Sequence, residues 1–261
     1  MARFRHQSLA CIGIVLLIVG IGCTPQGSQE TTVPPESPPA GWPEALSDFS
    51  VVWTAESAID LTTGAAVVVR AYMESYYLAY LTGDEKYLYP GFQQSVNASD
   101  PDGPDGTQEV WPKQNHPETW IGTARHHLLR MERSGRDVAV VGCVYSYGTG
   151  VLTAGGIQQN IGGMGPYAGI NAIRIGLQAP DGEQLNLPPQ RGLSRTPFEN
   201  VFDGWRVTNH QGGVLLQANW AGSGNDKVQC LSRADGTPES RASQSDFPAL
   251  PATPGWPAKS S

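Results

Sequence analysis

An α+β domain is predicted for the middle of this chain, because one long helical pattern comes first and several short β-rich segments follow it. Three observations carry the prediction. Residues 61–81 place Ala66, Val69, Met73, Tyr76, Tyr77 and Tyr80 at three- and four-residue spacing, which gives a helix an apolar and aromatic face. Residues 125–132 and 137–147 flank the turn Ser134-Gly135-Arg136 and read as a hairpin, with Val138, Val140, Val141 and Val144 on its second strand and a helix over 120–130 as the alternative. Residues 172–179, 205–208, 214–218 and 227–232 read as further short strands. Helices therefore pack on an antiparallel sheet.

Taken from the start, Arg3, Arg5 and His6 precede fourteen uncharged residues, 9–22. A membrane-spanning helix needs about 20 apolar residues, so a run of this length suits an export signal. Gly20-Ile21-Gly22-Cys23 resembles the lipobox of bacterial lipoproteins, with Gly20 where that family usually places Leu. The resemblance implies cleavage after residue 22 and lipid on Cys23, which anchors the chain on the outer face of a cell membrane; an ordinary secretory signal cleaved nearby is the alternative. Residues 23–40 are rich in Pro, Ser and Thr and read as a flexible tether, 41–233 as one ectodomain, and 234–261, with five prolines, as a disordered tail. Gly41-Trp42-Pro43 recurs as Gly255-Trp256-Pro257, too short to define a repeat.

The chain carries 17 basic and 24 acidic residues, and without 1–22 its net charge is −9. That gives no support to nucleic-acid binding or to electrostatic attachment to anionic lipid headgroups. Cys11 leaves with the leader and Cys23 takes the lipid, so Cys143 and Cys230 remain. In an exported domain they most simply form a disulfide. Two buried thiols or a metal pair are the alternatives, and neither cysteine has a second ligand at zinc spacing.

Within the domain, residues 47–59 read as a short helix carrying Phe49, Trp53 and Ile59. Thr62 or Thr63 caps the long helix and Gly83 ends it in the left-handed region. Residues 97–116 form a polar loop, and 148–169, with eight glycines, read as a mobile insertion.

Thr63-Gly64-Ala65-Ala66, Arg70-Ala71-Tyr72 and Ala79-Tyr80-Leu81-Thr82-Gly83-Asp84 resemble the first long helix of actinobacterial lipoproteins with a nuclear-transport-factor-2-like fold. The resemblance spans residues 42–233 and implies a long helix over a curved, cystatin-like sheet enclosing a conical pocket. The Gly-rich insertion and the loop at 188–202 depart from that pattern.

Tyr72, Tyr76 and Tyr80 share a stripe at four-residue spacing, and with His126 they are the candidate pocket wall. His126 and His127 point to opposite faces of a strand, so at most one reaches a pocket, and His116 stands apart. Asp100, Asp102, Asp105 and Glu109 miss the calcium-loop register by one residue. Gly163, Gly165 and Gly169 lack the spacing and flanking elements of a dinucleotide loop. No catalytic, metal or cofactor motif is expected. The leading expectation is a non-catalytic envelope lipoprotein binding a partner protein or an apolar small molecule. The alternatives are an isomerase- or hydrolase-like enzyme using a Tyr/His pocket, and a prophage-encoded lipoprotein that excludes other phages.

Overall fold

The computed structural model describes residues 41–96, 107–108, 110–113, 115–163, 165–181, 187–235 and 240–259. The first half runs β1 (Phe49–Ala55), α1 (Gly64–Thr82), α2 (Phe92–Ser95), β2 (Thr107–Gln108) and β3 (Trp120–Ser134). The second runs β4 (Asp137–Tyr145), β5 (Thr149–Thr153), β6 (Gly156–Gln159), β7 (Ile170–Gln178), β8 (Arg206–Val214) and α3 (Ser223–Ser232). Among the described residues, eight strands form one sheet, in the order β2-β8-β7-β4-β3-β5-β6, with β1 also against β3. The sheet is a curved, open half-barrel with helices packed on it. It is antiparallel apart from β1, which runs parallel to β3 with Trp53 opposite His126. A parallel pair needs a long crossover, and α1 lies within it.

Strand alternation divides the core in two. Val138, Val140 and Val144 of β4 and Ile173, Ile175 and Leu177 of β7 face α1. Val141, Cys143 and Tyr145, with Ala172, face the other way, toward α3. There Cys143 and Cys230 form the expected disulfide, with Cα atoms 5.6 Å apart. Arg130 of β3 donates to both carboxylate oxygens of buried Asp226 on α3, at 3.0 and 2.9 Å, and Trp220 Nε1 donates at 2.9 Å. Helix α1 behaves as predicted at its end, where Gly83 takes φ 64° and its N–H reaches Ala79 O. A two-sided burial was not foreseen: every residue from Ala65 to Tyr76 is buried.

Several expectations are corrected. Residues 47–59 form no helix, because Phe49, Val51 and Trp53 alternate into the core as β1. The glycine-rich segment contains the β5–β6 hairpin, and β5 extends the sheet by pairing Val151 with Trp120. Residues 227–232 belong to helix α3, where Asp226 and Cys230 are buried at four-residue spacing and Val228 stays 64% exposed. Residues 214–218 end β8 at Val214 and continue as one 3-10 turn, Leu215–Gln217.

The largest correction concerns the C-terminal segment. Residues 240–259 are not a disordered tail but a strap over α1 and the free edge of β1. Phe247 and Trp256 are buried, and Trp53 N donates to Thr253 O at 2.6 Å. Two charged residues of α1 hold the strap. Arg70 donates to the carbonyls of Leu61, Gln190, Pro254 and Gly255 at 2.6–3.0 Å, with its guanidinium 4.3 Å from the Trp256 ring. Glu74 accepts from Trp53 Nε1, Trp256 Nε1 and Tyr89 OH at 2.7, 2.8 and 3.0 Å. Burial raises the Glu74 carboxyl, while Arg70 and the three donors pull it back down. The leader with Cys23, the tether at 23–40 and the acidic cluster Asp100, Asp102, Asp105 and Glu109 lie outside the described residues.

Candidate functional site

The curvature of the sheet leaves a gap under the C-terminal half of α1. The gap lies between α1 and the faces of β3, β4 and β7. Gly122 of β3 takes φ 91°, and a Cβ there would sit 2.2 Å from Gly148 O. The resulting cavity holds about 200 Å³.

Its walls follow from the two periodicities. From α1 come Tyr77, Tyr80 and Leu81, at the three- and four-residue spacing of one helical face. From β3 come Trp120, Ala124 and His126, all even-numbered and so on one side of the strand. Phe49, Val144 and Ile173 complete the apolar lining, and Ser146, Thr149, Asn160 and Asn171 form the polar part. Ser146 and Thr149 are engaged internally: Thr149 Oγ1 donates to Ser146 O at 2.7 Å, and Ser146 Oγ donates to Gly169 O at 3.2 Å. No Asp, Glu, Lys or Arg is among the described lining residues.

His126 is the one titratable nitrogen group among the described residues of this wall. It is 1% exposed, its ring stacks on Trp53 at 4.2 Å, and Tyr77 lies 6.1 Å away. Neither ring nitrogen makes a well-formed hydrogen bond among the described residues, and both are closed to water, while the Ala124 backbone lies near enough to favour the protonated ring. Burial pushes the imidazole down to about 3, so it is neutral at physiological pH. A group so hard to protonate is a weak general base near pH 7. It remains a good hydrogen-bonding group, with one donor and one acceptor nitrogen.

Of the four predicted pocket residues, the cavity brings together Tyr80 and His126. Tyr72 and Tyr76 face elsewhere. Each four-residue step on a helix turns about 40° beyond a full revolution, so the stripe has rotated by about 80° between Tyr72 and Tyr80. Tyr72 OH donates to Val110 O at 2.9 Å and lies 2.9 Å from His210 Nδ1, and Tyr76 packs on the same imidazole at 5.1 Å. His210 was not anticipated, although its place on β8 makes it the second buried histidine; burial holds it, too, at about 3. Trp120 was legible from its spacing to Ala124 and His126, whereas Asn160 and Asn171 carried no sequence signal.

His127 points away from the cavity, as strand alternation requires. Its Nδ1 lies 2.8 Å from Thr54 Oγ1 and its Nε2 3.1 Å from Glu56 Oε1, with Arg233 also paired to Glu56. The hydrogen bond from His127 is the main cause holding the Glu56 carboxyl below its usual range. His116 is exposed in the coil before β3. Among the described residues, no group of three or more His, Cys, Asp or Glu side chains is placed to hold a metal ion. No helix among them is long and apolar enough to cross a membrane.

A second cavity of about 300 Å³ lies at the start of α1, lined by Thr62, Thr63, Gly64, Gln190, Asp203 and Trp205 among others. None of its described lining side chains has a buried polar atom without a partner.

No protein-family model, curated protein or solved structure matches this chain. The cavity must therefore be read from its own chemistry.

Proposed function

We propose that this chain is an extracytoplasmic lipoprotein whose ectodomain is a non-catalytic binding module, taking a small apolar molecule in the cavity under α1. The cavity carries the reading: aromatic and aliphatic walls, a few polar groups and, among the described lining residues, no charged side chain. Binding sites for small molecules are typically apolar clefts with a small number of oriented polar groups. The arrangement of a long helix over a curved sheet supports a nuclear-transport-factor-2-like fold, in which such a cone is the natural site. The leader pattern at Cys23 supports the anchor, and the Cys143–Cys230 pair fits an oxidising compartment.

The protein extracted from its native membranes tests both parts. Mass spectrometry should find a lipid-modified N-terminal cysteine at Cys23 and a small molecule released from the folded domain. Ala124→Leu, which fills the cavity from β3, should lose the released molecule while staying folded. An unmodified Cys23 would remove the anchor, and equal release from wild type and Ala124→Leu would remove the cavity as the site.

A further inference from the structure

From the two asparagines of the cavity wall we infer the class of ligand: a planar, uncharged one- or two-ring lactam whose adjacent N–H and C=O pair with the carboxamides of Asn160 and Asn171. This rests on the binding reading above and narrows it. The polar lining is one connected cluster. Asn171 Nδ2 donates to Ser146 Oγ at 3.4 Å, Ser146 Oγ donates to Asn160 O at 3.3 Å, and Asn160 N donates to Thr149 O at 2.9 Å. Asn171 stands opposite Val144 and two residues before Ile173 on β7, so strand alternation turns it to the cavity side with them. Its oxygen and both polar atoms of the Asn160 carboxamide make no hydrogen bond among the described residues. Both residues are half-buried, and none of these atoms is buried without a partner, so water or a ligand can reach each of them.

The wall therefore offers free acceptors beside a free donor. A carboxamide carries both, and a lactam, held cis by its ring, meets both along one edge, whereas an ether or ester brings acceptors alone. Charged ligands are disfavoured. With no Asp, Glu, Lys or Arg among the described lining residues, a carboxylate or ammonium would be buried without a counter-ion. Phe49, Tyr77, Tyr80 and Trp120 supply faces and edges to a planar ring. An apolar cavity of about 150 Å³ accepts benzene, and this one holds about 200 Å³, which sets the one- to two-ring size.

Equilibrium dialysis of the full chain at pH 7 against 2-quinolone, N-methyl-2-quinolone, naphthalene and 2-naphthoate tests the assignment. The wild type should bind 2-quinolone at least about fivefold more tightly than N-methyl-2-quinolone, which keeps the rings and carbonyl but has no N–H. It should bind 2-naphthoate too weakly to measure. Asn160→Leu and Asn171→Leu should each lower that preference and bind naphthalene as tightly as the wild type does. Equal binding of the two quinolones by the wild type would overturn the lactam class while leaving the cavity an apolar site. Tighter binding of 2-naphthoate than of 2-quinolone would overturn the neutral class. A preference that survives both Leu variants would overturn the asparagines as its source. Failure of all four probes would overturn the binding reading itself. The comparison among probes on wild type stands whether or not the variants fold.

Discussion

Replacing Trp256 by Ala tests whether the C-terminal strap is part of the folded domain. The indole is 1% exposed, donates to Glu74 Oε2 at 2.8 Å, stacks edge-on to Tyr89 at 6.0 Å and lies under the Arg70 guanidinium. Truncating a buried aromatic to Ala costs about 3–5 kcal/mol. Glu74 keeps its donors Trp53 and Tyr89, so it is not left bare, and the loss of one charge-assisted bond adds about 1–2 kcal/mol. A total near 4–7 kcal/mol is comparable to the whole stability of many domains, about 5–15 kcal/mol. Urea denaturation followed by tryptophan fluorescence and by far-UV circular dichroism should therefore show a much lower midpoint. Trp256→Phe keeps most of the volume and should lose only about 1–3 kcal/mol. Trp42→Ala removes the half-buried tryptophan of the other Gly-Trp-Pro and should cost less than Trp256→Ala. A Trp256→Ala protein within about 1 kcal/mol of wild type would refute the strap.

Further outcomes follow from other sites. Removing the Cys143–Cys230 bond with paired Ser substitutions should cost about 4–5 kcal/mol in the chain-entropy view, since 87 residues separate them; thermal denaturation with and without reductant checks it. Gly122→Ala should destabilise by at least about 2 kcal/mol and reduce ligand binding, because φ is 91° and the new Cβ meets Gly148 O. His126 and His210 both titrate near 3 in the folded chain, against about 6.5 when unfolded. The unfolded state therefore takes up protons first, so stability is lost as pH falls from about 6.5 toward 3, by roughly 2.7 kcal/mol per histidine at pH 4.5. His210→Gln should flatten that slope in urea midpoints measured between pH 7 and 4.5, and an unchanged slope would contradict the buried neutral imidazole.

The sequence made α1, the β3–β4 hairpin and β7 legible, because apolar residues there recur at the period of the element they form. It misled where spacing admitted two readings. Phe49 and Trp53 are four apart, which fits a helix, but Val51 between them fits only the alternating strand that packs there. Around Cys230 the reverse occurred, because α3 buries only Asp226 and Cys230 and offers too narrow an apolar stripe to reveal its period. Arg70 and Glu74 look like solvent-facing charges on a helix, and the strap looks like a proline-rich tail. Each is explained only by the other, since a segment without a core of its own can complete one built elsewhere. The cavity was half legible: strand alternation put His126 inside and His127 outside, but the polar lining comes from residues distant in sequence.

The binding account turns on the cavity that His126 lines, and nitrogen NMR of ¹⁵N-histidine-labelled protein observes its wall directly. On addition of 2-quinolone at pH 7, the ring nitrogens of His126 should shift while those of His127 and His210 stay in place. Binding of 2-quinolone with an unmoved His126 signal would contradict the account.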